Sequence, residues 1–328
     1  RITHDSDGNA LGYLHEPQVT NHVLSSLDAF GTGTVNNAAV TDTGSVVSPS
    51  GATDAKEVTV SGANYLRHNV TLVAETAYVW SFWAKKGTAT TLKTSVYNIS
   101  GAAEISGIGL YDYTSQVSTD EWTRIEIPFT TPAGCTSVGV YSTRGSSDGT
   151  FFIWGAQVEE GTAATSLIPT FGAEATRQAD AVSGTVAIPA GEWSMVMDTT
   201  PLAAVATLEY FLHMAGPSAG PTLDLLRIQS ASFRLGESSS GSNVDAQVGV
   251  DITLSPHSYG LSIDESGDYS IAVDGVALNT DTSSTMGEAP PLTSFELSAS
   301  SYLTPQIVER FRMFRNYKTA AELITLTT

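Results

Sequence analysis

The sequence predicts an all-β protein: two tandem antiparallel β-sandwiches followed by one short C-terminal helix. Three observations predict it. Apolar residues recur at every second position in many short runs, the period of a half-buried strand. Gly-, Asp- and Ser-rich turn signals separate these runs roughly every ten residues, as in sandwiches and barrels. The chain has 328 residues, which at roughly 150 per domain makes about two domains. Either half is long enough to bury a core without a disulfide or metal staple.

The elements follow in order. Residues 78–84 put Tyr78, Trp80, Phe82 and Ala84 on one face and Val79, Ser81 and Trp83 on the other, and Lys86-Gly87 ends the strand. Residues 121–129 alternate through Ile125, Ile127 and Phe129, with Trp122 one position out of step. Pro128 lacks an N–H, which places this run at an edge or a strand end. Residues 138–141 and 150–154 are two further strands, and Trp122 and Trp154 read as core. Strand patterning stops at Glu159-Glu160-Gly161 and resumes near Val182. Further runs lie at 193–197, 208–212, 223–228 and 269–273, and Asp274-Gly275 signals a hairpin turn. Residues 311–315 read as a last strand. Thr319-Ala320-Ala321-Glu322 is a capping box that opens a helix with Leu323, Ile324 and Leu326. No repeat of 20–50 residues is visible, which argues against a solenoid or propeller. The predicted division is a linking segment at 1–22, a first sandwich at 23–170, a linker at 171–182 and a second sandwich at 183–328.

Composition excludes several functions. Lys and Arg total 15 against 34 Asp and Glu, a net charge of -19. Phosphate binding needs a basic footprint, so nucleic acid and anionic membrane surfaces are excluded as partners. No apolar run reaches the roughly 20 residues that span a bilayer, so no membrane insertion is expected. Cys135 is the only cysteine, which forbids an internal disulfide and reads as a small buried residue at a strand start. No cofactor is expected. Calcium is the one ion for which the sequence offers oxygens, at His4-Asp5-Ser6-Asp7-Gly8-Asn9 and at Asp264, Glu265 and Asp268, and both read as plain acidic turns. The six histidines lack zinc spacing. No Gly-x-Ser-x-Gly elbow or nucleotide loop is present, and Glu159-Glu160 would face opposite sides of a strand, so no enzyme is expected.

Two passages resemble a known family. Arg1-Ile2-Thr3-His4-Asp5 with Leu11-Gly12-Tyr13-Leu14-His15-Glu16 and Thr20-Asn21 resembles a run found in phage virion fibre proteins. Residues 153–161 (Ile-Trp-Gly-Ala-Gln-Val-Glu-Glu-Gly) with 164–170 (Ala-Thr-Ser-Leu-Ile-Pro-Thr) are similar to the closing motif of the carbohydrate-binding-like jelly roll that follows in them. Thr176-Arg177-Gln178-Ala179-Asp180 stands where that family links to a second domain. The second half, with its Val273-Asp274-Gly275 hairpin and Arg312-Met313-Phe314-Arg315-Asn316 ending, is similar to a concanavalin-like (LamG-like) jelly roll. The likeness covers nearly the whole chain and is softer at the C-terminus. It implies a piece of a longer chain, since Arg1 stands without a leading Met.

The resemblance implies a head spike or tail fibre on a virion surface, outside the cell. Its partners would be bacterial surface polysaccharide and other virion structural proteins, with a homo-oligomer expected. A structural spacer that presents another binder and a polysaccharide depolymerase are the alternatives. Sugar binding needs aromatic rings against C–H faces and amides, carboxylates or guanidinium groups for hydroxyls. On that ground the candidate carbohydrate-binding residues are Trp83, Tyr97, Asn98, Tyr111, Asp112 and Tyr113, all in the first sandwich. Tyr111 and Tyr113 would share one face as a stacking platform. In the second half Tyr210, His213, Arg227 and Tyr259 are weaker candidates.

Overall fold

The computed structural model describes residues 2–4, 9–37, 39–105, 107–180, 182–188, 190–202, 209–215, 222–227, 232–236, 243–247, 255–281, 291–297 and 306–328. Nearly all regular structure is antiparallel strand, with one short helix at the C-terminus. The chain forms two compact units, one of residues 18–178 and one of residues 179–328 together with 1–17.

The first residues differ from the expected linker. Strands β1 (Ile2–His4) and β2 (Ala10–His15) pair with each other, and β2 pairs with residues 306–308 near the C-terminus. They therefore belong to the sheet of the second unit. Glu16 and Asp180 also exchange hydrogen bonds there: the Glu16 N–H donates to the Asp180 carboxylate (3.0 Å) and the Asp180 N–H to the Glu16 carbonyl (2.9 Å).

The unit of residues 18–178 holds β3 (Val19–Asn21), β4 (Thr34–Asn36), β5 (Val40–Val46), β6 (Ala55–Val60), β7 (Tyr65–Thr71), β8 (Ala77–Lys86) and β9 (Lys93–Asn98). These are followed by β10 (Ala103–Glu104), β11 (Tyr111–Asp112), β12 (Thr123–Thr130), β13 (Ser137–Arg144), β14 (Gly149–Glu160) and β15 (Ala175–Arg177). One sheet runs β10-β9-β13-β7-β4, with β11 on the free edge of β9; the other runs β12-β8-β14-β6-β5. Alternation in β8 turns Tyr78, Trp80, Phe82 and Ala84 into the space between the sheets. Leu66 and Val70 of β7, Val96 of β9 and Val138 and Val140 of β13 meet them there. The Trp80 indole N–H donates to Thr94 Oγ1 (3.3 Å), so the largest core ring keeps its one polar group bonded. Cys135 is buried two residues before β13 begins.

The second unit is also two-layered. It adds β16 (Val182–Ile188), β17 (Trp193–Pro201), β18 (Glu209–Ala215), β19 (Thr222–Arg227), β20 (Ser232–Gly236), β21 (Asn243–Gln247), β22 (His257–Ile263), β23 (Tyr269–Val273), β24 (Val276–Asp281), β25 (Leu292–Leu297) and β26 (Gln306–Phe314). Its sheets run β1-β2-β26-β17-β22-β23-β24 and β16-β25-β18-β19-β20-β21. Trp193, Met195, Met197, Leu261, Ile271 and Val273 fill its core. Helix α1 (Ala320–Leu326) opens with the expected capping box: the Glu322 N–H donates to Thr319 Oγ1 and the Thr319 N–H to the Glu322 carboxylate. Leu323 is its buried anchor.

Candidate functional site

The sheet face of β7, β13 and β9 that points away from the core gathers the polar and aromatic side chains of the first sandwich. Since β7 places Leu66, His68 and Val70 inward, Tyr65, Arg67 and Asn69 face out. In the same way β9 presents Ser95 and Tyr97, and β13 presents Gly139 and Tyr141. The register sets them in rows. Tyr141 lies between Arg67 and Ser95, and Gly139 between Asn69 and Tyr97. Glu104 of β10 pairs with Tyr97 and so shares its face. A β-bulge between Tyr141 and Thr143 shifts the alternation by one and brings Arg144 opposite Tyr65, on the Tyr141 face. Without the bulge Arg144 would point into the core.

Two guanidinium groups lie over a tyrosine floor. The Arg67 guanidinium carbon is 5.9 Å from the Tyr65 ring centre and 5.7 Å from that of Tyr141. Arg67 Nη1 also donates to the Tyr141 hydroxyl at 2.9 Å. The Arg144 carbon is 4.9 Å from the Tyr141 ring centre and 5.1 Å from that of Tyr97. Tyr65 meets Tyr141 edge to face at 6.3 Å. Each cation–ring contact contributes about 0.5–1 kcal/mol at a partly exposed site, so the cluster is pre-formed. Gly139 permits the arrangement. A Cβ on it would stand 3.1 Å from Arg67 Cδ and 3.4 Å from the Tyr141 ring, so the arginine stem and the ring lie close over bare backbone.

Charge on the face is unevenly matched. Arg144 forms an ion pair with Glu104 and donates to Ser95 Oγ (3.1 Å), and Ser95 Oγ donates to the other Glu104 oxygen (2.7 Å). Lys93 stands opposite Asp112 in the register. Arg67 has no carboxylate within ion-pair distance among the described residues, and neither its Nε nor Asn69 Oδ1 has a hydrogen-bond partner. Both of these atoms are shielded from solvent, so what the face offers a ligand is two half-buried rings for stacking and a guanidinium whose charge no carboxylate offsets. They provide no nucleophile with an adjacent base.

The six sequence-predicted residues separate. Tyr97 stands on the Arg–Tyr face. Asn98, its neighbour, is buried, and its Oδ1 accepts from the Gly101 N–H (2.8 Å), which closes a turn instead of presenting an amide. The Tyr111–Tyr113 platform is corrected. Tyr113 is fully buried against Phe82, edge to face at 5.6 Å, and its hydroxyl donates to the Ser142 carbonyl (3.3 Å). Burial raises its phenol pKa steeply. Tyr111 is exposed at the sheet edge, where its hydroxyl accepts from Gln116 Nε2 (2.8 Å). Asp112 accepts from the Thr114 hydroxyl (2.6 Å) and N–H (3.0 Å), bonds that lower its pKa and fix the following turn. Trp83 belongs to the other sheet. A Cβ on Gly155 would stand 2.9 Å from the Trp83 ring and 3.2 Å from Leu167, so both pack over that glycine.

Trp122 and Trp154 also differ from the core positions expected of them: each is half-buried. Trp122 donates to the Val47 carbonyl (3.1 Å) and shares the Lys85 ammonium with Phe152, at 5.7 and 5.4 Å from the two ring centres. Of the second-half candidates, Tyr259 is buried in its unit's core; the side chains of Tyr210, His213 and Arg227 lie outside the described residues. So does the turn at residues 5–8. The Asp264 carboxylate is taken up by its own turn, where it accepts from the Ser266 and Asp268 N–H groups, each at 2.9 Å.

The closing motif is structural. Gly155, at φ +68°, makes the bulge between Trp154 and Gln157, a conformation that costs other residues. Gln157 then accepts from the Ile168 N–H (2.7 Å) and donates to Glu159 (2.8 Å). Glu159 is fully buried and accepts from the Thr165 N–H (2.6 Å) and hydroxyl (2.5 Å). Its burial raises its pKa against these bonds. Asn21 accepts from the Val23 and Val158 N–H groups and donates to the Ala156 and Ile168 carbonyls. Thr170 and Ser26 bond reciprocally, each backbone N–H to the other's hydroxyl at 2.8 Å. Together these bonds tie residues 21–26 to 156–170.

No family model and no curated protein matches the sequence. Solved structures are similar to it at low identity. A carbohydrate-binding domain (CBM40) of the Ruminococcus gnavus IT-sialidase is 12% identical, covers 44% of this chain and 98% of its own, and gives a TM-score of 0.35. A native heptameric SAP-like pentraxin from Limulus polyphemus is 10% identical over 45% of this chain and 75% of its own, with a TM-score of 0.36.

Proposed function

We propose that this chain is a non-catalytic glycan-binding protein that attaches a phage or phage-like particle to bacterial surface polysaccharide, and that the β7–β13–β9 face is its binding surface. One observation carries the binding half of this reading: Tyr65, Arg67, Asn69, Tyr97 and Arg144 stand together on one partly exposed sheet face, held by ring and guanidinium contacts before any ligand arrives. Rigid aromatic groups cover the apolar faces of a sugar at small entropic cost, and amide and guanidinium groups reach its hydroxyls. The non-catalytic half rests on the same surface. A glycosidase needs two carboxyl groups roughly 5–10 Å apart across a cleft, and Glu104, the acid of the Arg–Tyr cluster, is engaged by Arg144 and Ser95. The virion half rests on the resemblance of residues 1–21 and 153–170 to phage fibre proteins.

Affinity electrophoresis tests it, with capsular and lipopolysaccharide glycans cast into native gels. Retardation in at least one glycan is expected, lost in Tyr97→Ala and retained in Tyr111→Ala. Unretarded migration in every glycan refutes glycan binding. Equal loss with both variants, or with neither, refutes the placement of the site.

A further inference from the structure

Within the glycan-binding reading, on which this step rests, we infer that the sugar is acidic and that Arg67 receives its carboxylate. The molecule as a whole repels polyanions, with 34 acidic residues against 15 basic. The Arg–Tyr face runs against that balance. Arg144 is neutralised by Glu104 and Lys93 has Asp112 across from it in the register, whereas no carboxylate lies within ion-pair distance of Arg67 among the described residues.

The face already shows how it holds a carboxylate. One oxygen of Glu104 pairs with Arg144 and the other accepts from Ser95 Oγ, a planar guanidinium plus a hydroxyl. Arg67 stands one strand away across Tyr141, with the Tyr141 hydroxyl on its Nη1 and the Asn69 amide two residues along the same strand and face. Its fork is fixed by two rings, so a ligand carboxylate pays little to order it. Charge-assisted bonds of this kind are roughly twice as strong as neutral ones, whereas a neutral sugar would leave the cation without a counter-charge. Beyond about 8 Å at physiological salt the chain's other charges are screened, so the local cation decides.

The test compares acidic bacterial polysaccharides with the same polymers after each carboxyl has been reduced to a hydroxymethyl group, by affinity electrophoresis and calorimetry. At least roughly tenfold tighter binding of the acidic form is expected. In Arg67→Gln the two forms should bind within about twofold of each other. Arg67→Lys, which keeps the charge and loses the fork, should retain part of the preference. Glu104→Gln, which releases Arg144, should widen it. Equal binding of acidic and reduced forms by the parent chain overturns this inference and leaves glycan binding standing. Binding of neither form of any polymer overturns both. An Arg67→Gln chain that still prefers the acidic form overturns the assignment to Arg67.

Discussion

Acid should open the first sandwich through His68, which β7 carries into the core on the side opposite Tyr65, Arg67 and Asn69. The imidazole is fully buried, 6.1 Å from Trp80 centre to centre, with Nδ1 3.1 Å from Thr34 Oγ1 and no partner at Nε2. Burial disfavours the cation and lowers the pKa to about 4 from an ordinary value near 6.5, against a small opposing pull from Asp28. Above pH 6.5 neither state is protonated and the residue has no pH-linked effect. Between 6.5 and 4 the unfolded chain takes up a proton that the folded chain refuses, so stability falls with pH. The gap is equivalent to roughly 3 kcal/mol, a large part of the 5–15 kcal/mol that holds a typical domain. The perturbation is His68→Gln, and the assay is urea denaturation of both chains at intervals from pH 7.5 to 4, followed by Trp fluorescence and by glycan retardation. Relative to the variant, the parent should lose roughly 3 kcal/mol across that range and lose binding along with it. Parallel stability profiles in the two chains, or an imidazole NMR titration of His68 with a midpoint near 6.5 in the folded state, would refute the reasoning.

Two further outcomes follow from the packing. Gly139→Val places methyl groups where Arg67 Cδ and the Tyr141 ring now lie, so affinity should fall at least roughly tenfold; unchanged affinity in the gels would mean that the cluster is not the site. Glu159→Ala removes the acceptor of Thr165 and the partner of Gln157 inside the closing segment, and should cost about 2–4 kcal/mol by denaturant midpoint; a loss under about 0.5 kcal/mol would show that the segment is not held there.

How far the sequence could be read depended on whether the determining contact was local. Tyr78 to Ala84 show their strand, core face and outer face through period two alone. The Thr319–Glu322 box likewise marks its helix. Residues 10–15 read as a linker because their strand partner is at 306–308, and no local pattern reports a pairing across the length of the chain. Tyr111 and Tyr113 show the limit of periodicity. Period two would put them on one side of a common strand, but β11 ends at Asp112 and the chain turns at Tyr113, so Tyr113 fills the core and Tyr111 meets solvent. Tyr65-x-Arg67-x-Asn69 was visible as a polar and aromatic stripe alternating with Leu66, His68 and Val70. A stripe of this kind marks any half-exposed strand, and only the register of the fold sets it beside Tyr97, Tyr141 and Arg144. The bulge that turns Arg144 outward left no sequence signal at all.

The same contrast bears on what the family resemblance can carry. Gly155, Gln157, Glu159, Ile168 and Thr170, residues through which the chain resembles phage fibre modules, all serve the closing segment. None of them stands on the Arg–Tyr face. A chain could therefore keep every residue of that motif, and the fold it secures, while exchanging Arg67, Tyr97 and Arg144 for other side chains on strands whose inner faces already fix the backbone. The resemblance thus speaks to the scaffold, and under the proposed reading ligand choice falls to a handful of outward positions in β7, β9 and β13. That is why exchanging Arg67 should alter which sugar is held, whereas exchanging Glu159 should alter only whether the domain stays folded.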